Sequence, residues 1–391
     1  MTHTQSFTVT QPTRIQFGVG SINNLAKTVQ DFNGANVFLV MDPGLVKSGI
    51  AARITAPLDD AGIPYVMYDA IDPEPGLKLA DKGYKLAKSK GCDCVIGAGG
   101  GSAMDVAKAV SILVTNDGSA ARYQGLGLVE KAGVPRIMIP TTAGTGSEVT
   151  FTSVLIRKSD GFKGGINDEK LFPDYSILDP ELTVTMPPRV TAATGMDALI
   201  HALEAYVGRQ ASPFSDMFAE EALVRIGRWI RVAVKNGRDI EARSEMMLAA
   251  LYGGIALANA GVGACHALSY PLGAVYGVGH GVANALLIPY VARYNCQAAP
   301  KRYADAAELL GYLQDESAPL FERAELCADV LEKLVFDLEL PATLEDLDVG
   351  ITPESLEGLA EKAMALSRPM ENNPREMKAE DCVNIYKEAM A

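Results

Sequence analysis

The residues best placed to do chemistry are three histidines and one aspartate. The chain has four histidines, and His201, His266 and His280 all lie in its second half. In the run Gly195-Met-Asp-Ala-Leu-Ile-His201, a helix would set Asp197 and His201 one turn apart on one face, where a carboxylate and an imidazole can meet one ion. His266 and His280 would have to arrive from elsewhere in the fold. Three imidazoles with one carboxylate form a borderline-hard donor set that suits Fe(II), Zn(II) or Mn(II). A histidine by itself is more often a satisfied core residue. Here two of the three lie in Gly-rich apolar sequence, where an unpaired imidazole is costly.

A second chemistry is written in two loops. In Cys94-Val-Ile-Gly-Ala-Gly99-Gly100-Gly101-Ser102, the glycines end an apolar strand and Ser102 opens a helix. Bare backbone N–H groups and the positive helix end could then hold a pyrophosphate. The spacing is not the usual dinucleotide fingerprint, and a ligand-free strand-to-helix turn would read the same way. The run Pro140-Thr141-Thr142-Ala-Gly-Thr145-Gly-Ser-Glu148 follows another apolar strand and offers hydroxyls. Two such loops on one parallel sheet converge at its carboxyl edge. Asp42 ends the strand Val37–Met41, where a carboxylate can accept from a ribose diol and repel a 2′-phosphate, favouring NAD; it reads equally well as a helix cap before Pro43.

The elements that must position these residues follow from periodicity. From Phe7 to about Asp179 strands alternate with helices, with strands expected at Asn36–Met41, Pro64–Asp69, Cys94–Gly97 and Arg136–Pro140. Helices are expected at Val46–Ala61, Gly76–Lys90 and Ser102–Val114. This alternation builds a parallel sheet with helices on both faces. After Pro187-Pro188 the strand pattern stops and the remainder reads as successive helices. The expected organisation is therefore an α/β dinucleotide-binding domain over residues 1–188, with a non-standard Rossmann order, and an all-α metal-binding domain over 189–391.

A length of 391 residues fits two cores, and a net charge of -13 argues against nucleic acid or an acidic membrane as partner. Apolar runs break before about 18 residues, so no membrane span is expected. The start, Met-Thr-His-Thr-Gln-Ser, lacks the features of an export signal. Six scattered cysteines without finger spacing fit reduced thiols in a cytoplasm, and Cys92 and Cys94 read as core. The acidic stretch near Leu338–Asp348 reads as a solvated connection.

Taken together, Gly99–Lys108, Thr141–Thr145, Gly195–His201 and His280-Gly-Val-Ala-Asn284 make the chain similar to the iron-containing (group III) alcohol dehydrogenase family over essentially its whole length. The resemblance implies dehydroquinate synthase-like architecture, with a cleft between the domains where NAD(P) and a divalent ion meet. It implies metal ligands at Asp197, His201, His266 and His280. It also implies cofactor contacts at Asp42, Gly99, Gly100, Gly101, Ser102, Asp105, Thr141, Thr142, Thr145 and Lys163. Positions lining the family's pocket match Thr150, Thr152, Val154, Leu257 and Val262.

Two departures stand out. Tyr270 occupies the position, four residues after the third ligand, where many members carry a proton-relaying histidine; it is expected either to relay a proton or to line the pocket. Val278-Gly279 stands where relatives commonly have a proline, which makes that loop less rigid.

The expected activity is NAD-dependent hydride transfer on a small primary alcohol or aldehyde. The tail could be polar or anionic, as in lactaldehyde or sulfoacetaldehyde, with Arg368 and Arg375 as candidates to meet an anion or as plain surface arginines. The family also implies a homodimer or higher homo-oligomer. Two other readings are a sugar-phosphate cyclase of dehydroquinate synthase type, which would need a basic cluster in the metal region, and a non-catalytic metal-holding assembly subunit. Maleylacetate-type reductases do without the full ligand set.

Overall fold

The computed structural model describes residues 6–390, so most of the N-terminal run read for an export signal lies outside the described residues. The chain divides into two compact units. One is Gln11–Met186; the other runs from Pro187 onward and takes in residues 6–10, with the Thr10 amide donating to Asn259 at 2.9 Å.

The first unit contains, in order, β1 (Arg14–Phe17), α1 (Leu25–Asp31), β2 (Val37–Met41), α2 (Pro43–Ser48), α3 (Ile50–Asp60), β3 (Tyr65–Tyr68), α4 (Leu77–Ser89), β4 (Cys94–Gly99) and α5 (Gly101–Thr115). Then come β5 (Gly125–Leu126), β6 (Arg136–Pro140), β7 (Thr152–Arg157), β8 (Phe162–Asn167) and β9 (Tyr175–Leu178). Six strands form a parallel sheet in the order β1-β9-β6-β4-β2-β3. The central strands are buried along their whole length, as expected for a parallel sheet covered on both faces. Alternation sorts their side chains. Phe38, Val40, Val95 and Met138 enter one core, and Val37, Leu39, Ile96 and Ile137 the other. Cys92 belongs to the first core and Cys94 to the second; all six cysteines are free and buried.

Several elements differ from expectation. The helix expected over 46–61 is two, because Gly49 takes φ 78° and ends α2. It also starts earlier, with Pro43 at its first turn and Asp42 as cap. A small second sheet, ordered β5-β8-β7, was not expected at all. The segment near 338–348 is not simply solvated, since Leu338, Leu340 and Leu344 are buried.

In the second unit every regular element among the described residues is helical: α6 (Pro188–Val207), α7 (Pro213–Lys235), α8 (Ile240–Ala260), α9 (Ala264–Tyr276), α10 (His280–Asn295), α11 (Pro300–Leu309), α12 (Leu320–Asp337), α13 (Leu356–Met364), α14 (Ser367–Asn372) and α15 (Ala379–Glu388). Helix α6 is buried from Gly195 to Val207. A helix apolar all round belongs in a core, and its few polar residues then call for a reason. Those residues are Asp197, His201 and Glu204. Helix α10 approaches α6 closely at Gly281, where an added Cβ would lie 2.4 Å from the Ala193 carbonyl oxygen.

No single helix among the described residues is long and apolar enough to cross a membrane. The bent pair α8 and α9, at 105°, passes on length and composition only, and much of both helices is buried within this unit.

Candidate metal centre and nucleotide loops

In the helical unit, α6 supplies Asp197 and His201, α9 supplies His266 in its first turn, and α10 opens on His280. One ligand atom from each of the four lies within 4.8 Å of all the others. The Nε2 atoms of His201, His266 and His280 stand 3.9, 3.9 and 3.6 Å from Asp197 Oδ1. The rings of His201 and His266 stack at 4.8 Å, and His280 lies 5.2 Å from His266. His280 is part-exposed while the other three ligands are buried. Burial acts to raise the Asp197 carboxyl, but the three imidazoles and the Asn284 amide outweigh it and hold it down at about 2, so it is an anion at neutral pH. The Asn284 side-chain amide donates to Asp197 Oδ1 at 2.8 Å. An anion and three imidazole nitrogens converging from three helices, buried around one point, fit a tetracoordinate divalent cation of borderline hardness.

Behind the ligands, Glu204 lies 2.5 Å from His266 Nδ1. Tyr270 packs its ring edgewise on His280 at 5.5 Å and on His266 at 6.4 Å, so it stands beside the four converging side chains. In the same unit Leu257 is on α8 and Val262 follows it. The Val262 carbonyl accepts from Asn372, which also holds the Ala260 carbonyl. Arg375 donates to the Tyr294 carbonyl and lies 4.0 Å over the Tyr294 ring, while Arg368 is exposed.

In the α/β unit, strand register brings the loops together. Met41 pairs with Ala98, and Gly99 with Pro140, so Asp42, Gly99–Ser102 and Thr141–Thr145 leave the same sheet edge side by side. The Thr141 amide donates to the Gly99 carbonyl at 3.0 Å. A Cβ on Gly101 would sit 3.0 Å from the Thr145 side chain, which would have to give by a few tenths of an ångström, so the two loops are in close contact here. Thr142 Oγ1 is buried with no partner, as a hydroxyl that serves a phosphate oxygen would be. Backbone amides, an orphaned hydroxyl and a helix N-terminus together fit a dinucleotide pyrophosphate.

The other residues on this edge are partly occupied by the protein itself. Asp42 caps α2 through the Gly44 amide at 2.7 Å, using one carboxylate oxygen. Ser102 donates to the Pro73 carbonyl. Lys163 pairs with Glu74 at 2.7 Å. Asp105 accepts from Ser147 Oγ at 2.6 Å and the Val154 amide at 2.8 Å, so it ties α5 to β7. Thr150 and Thr152 each have a hydroxyl bonded internally, to Lys108 and Asn167. Lys108 itself is fully buried; burial pushes its ammonium down to about 8 against the pull of Asp105 and Glu148. Burial lifts the nearby Glu148 carboxyl to about 7.

Comparison with known proteins agrees with this layout. Residues 12–180 match the model for iron-containing alcohol dehydrogenases, and residues 191–390 match the C-terminal model of the same family. The chain belongs to the iron-containing alcohol dehydrogenase family. It is 41% identical over 377 residues to the long-chain-alcohol dehydrogenase 1 of Geobacillus thermodenitrificans, covering 96% of this chain and 94% of that one. The crystal structure of a 1,3-propanediol oxidoreductase superposes with a TM-score of 0.94 at 34% identity, covering 99% of this chain and 100% of the other. The sulfoacetaldehyde reductase from Bifidobacterium kashiwanohense, solved with NAD+, superposes at 0.87 and 31% identity, covering 99% of both chains. Like its relatives, this member of the iron-containing alcohol dehydrogenases is an oxidoreductase of the alcohol dehydrogenase class.

Glu204, Asn284 and Lys108 had not been singled out as functional. The first two had a signal: Glu204 follows His201 by three residues, and Asn284 follows His280 by four, so each shares a helix face with a ligand.

Proposed function

We propose that this chain is an NAD-dependent, metal-dependent alcohol dehydrogenase and aldehyde reductase acting on a small primary alcohol or aldehyde, with a polar or anionic tail as in lactaldehyde or sulfoacetaldehyde. The observation that carries the reading is the convergence of Asp197, His201, His266 and His280 within 4.8 Å. Fe(II) is the favoured ion, and Zn(II) and Mn(II) suit the same donors. In this reading residues 1–188 hold NAD and 189–391 hold the ion. When bound, the ion polarises the substrate oxygen, and NAD exchanges hydride with the carbon that bears it.

The protein's own part is positional. Asp197 contributes the one negative charge of the ligand set, and the imidazoles present neutral nitrogens. The amides of Gly99–Ser102 and the hydroxyls of Thr141, Thr142 and Thr145 grip the pyrophosphate, with Asp42 toward the ribose and Lys163 toward the nicotinamide ribose. Asp105 acts through the loops by locking α5 to β7. Tyr270 lines the substrate side of the centre, and water with the ribose hydroxyls carries the proton. Thr150, Thr152, Val154, Leu257 and Val262 are the proposed substrate contacts, and the protein works as a homodimer or higher homo-oligomer.

The test is NADH oxidation by metal-replete protein with a panel of short aldehydes bearing neutral, carboxylate and sulfonate tails. Turnover with at least one, lost in His266→Ala together with the bound metal, is expected. No turnover across the panel, or full turnover in metal-free His266→Ala, overturns the reading.

A further inference from the structure

We infer that Glu204 is a positioning residue of the metal centre, which fixes the tautomer and direction of His266. The inference rests on reading the four-residue set as a metal site. Glu204 stands seven residues after Asp197 and three after His201, on the same face of α6. Its carboxylate does two things at once. Oε2 meets His266 Nδ1 at 2.5 Å, and Oε1 accepts the Cys265 amide at 2.7 Å. The first turn of α9 is thereby tied to α6 by the residue that also orients the ligand. Both side chains are buried, Glu204 at 5% and His266 at 3% exposed, so water does not compete for either contact.

Glu204 already serves as acceptor to the Cys265 amide, and a carboxylate that accepts at both oxygens puts the proton of His266 on Nδ1. Nε2 is left as a lone pair, and it points toward Asn284 Nδ2 at 3.3 Å and Asp197 Oδ1 at 3.9 Å, where the other ligands converge. Glu204 stands beyond the imidazole ring from that point, outside the set of converging ligand atoms. The arrangement needs room on α9: a Cβ at Gly263 would lie 3.0 Å from Glu204 Oε1, so glycine there lets the carboxylate reach the helix start. A carboxylate behind a ligating imidazole raises its basicity and holds its plane.

Glu204→Gln keeps the shape but puts a donor at one of two sites that both need an acceptor. The relief is to move the His266 proton to Nε2, which blocks the ligand. The experiment strips the protein of metal and titrates Co(II) against a competing chelator in the parent, Glu204→Gln and Glu204→Asp, reading affinity and the visible spectrum. The expected result is a loss of about 10- to 100-fold in affinity and an altered spectrum in Glu204→Gln, with Glu204→Asp, still acceptor-only, partly rescued. A parent that binds Co(II), beside a Glu204→Gln within about threefold of it and spectrally unchanged, overturns the inference alone. A parent that binds none overturns the metal reading and the inference with it. Nitrogen-15 NMR of the histidine side chains in unmodified metal-free protein needs no variant; a His266 proton on Nε2 overturns the inference.

Discussion

The contact between α10 and α6 makes a severe demand on one residue. A Cβ added at Gly281 would lie 2.4 Å from the Ala193 carbonyl oxygen and 2.8 Å from its carbon, and real Cβ atoms essentially never come within 3.0 Å. Gly281→Ala must therefore part the two helices by at least about 0.6 Å, the difference between 3.0 and 2.4 Å. The obstacle is helix backbone, so no side chain can swing aside. Overpacking of this kind costs about 1–3 kcal/mol. The better helix propensity of alanine, at most about 1 kcal/mol, opposes only part of it. Net of that offset, for a unit of this size the melting midpoint should fall by several degrees, up to roughly 12 °C.

The shift is felt next door, because His280 precedes Gly281 and its Nε2 is 3.6 Å from Asp197 Oδ1. Metal–ligand distances tolerate about 0.2 Å, so the affinity for Co(II) or Zn(II) should fall about tenfold or more. Gly279→Ala is the control. Nothing lies within 4 Å of its added Cβ, and φ there is -58°, so it should stay within about 0.5 kcal/mol of the parent. Thermal melting with and without metal, and chelator competition, measure both effects. A Gly281→Ala protein that melts and binds metal as the parent does refutes the reasoning.

Two further outcomes follow from buried or stacked side chains. Glu148 is buried, and its folded carboxyl stands at about 7 against an ordinary 4.5. Between those values the folded state holds the proton that the unfolded state has released, so this group makes stability fall as pH rises from about 4.5 through 7. Glu148→Gln removes that cost. It should match the parent near pH 4.5 and exceed it at pH 8 by on the order of 3 kcal/mol, read from melting midpoints across pH; a difference that does not change with pH refutes this. Arg375 is held by the Tyr294 carbonyl and ring, so Arg375→Ala should cost about 1–2 kcal/mol of stability and leave the preference between anionic and neutral aldehydes unchanged. A selective loss of kcat/KM for the anionic ones would instead put this guanidinium at the substrate.

Much of this molecule could be read before its structure. The central strands announce themselves because a sheet buried on both faces needs near-continuous apolar runs, and β2 and β4 are such runs, as is β6 after Arg136. The four converging side chains were legible because acids and histidines are rare in apolar helices. The small sheet was not. Phe162–Asn167 carries Lys163, Gly164 and Gly165, and such a run matches a solvated turn better than a strand until its pairing with β7 is seen. Gly49 is invisible as a helix break until its φ is known. Glu204 escaped because an acid on a helix usually faces water; only the all-round burial of α6 turns it inward. For Asp105 the sequence carries no sign that its two oxygens accept from Ser147 and Val154, because those partners lie 42 and 49 residues away.

The four converging side chains come from three helices that also form the core of their unit, so on the proposed metal reading loading with an ion and holding that core together would be coupled. At a thousandfold excess of free ion over its dissociation constant, the loaded form gains about 4 kcal/mol over the stripped one, which is comparable to the whole margin of many domains. If the proposed function holds, scarcity of the ion would thin the population of intact protein as well as its activity.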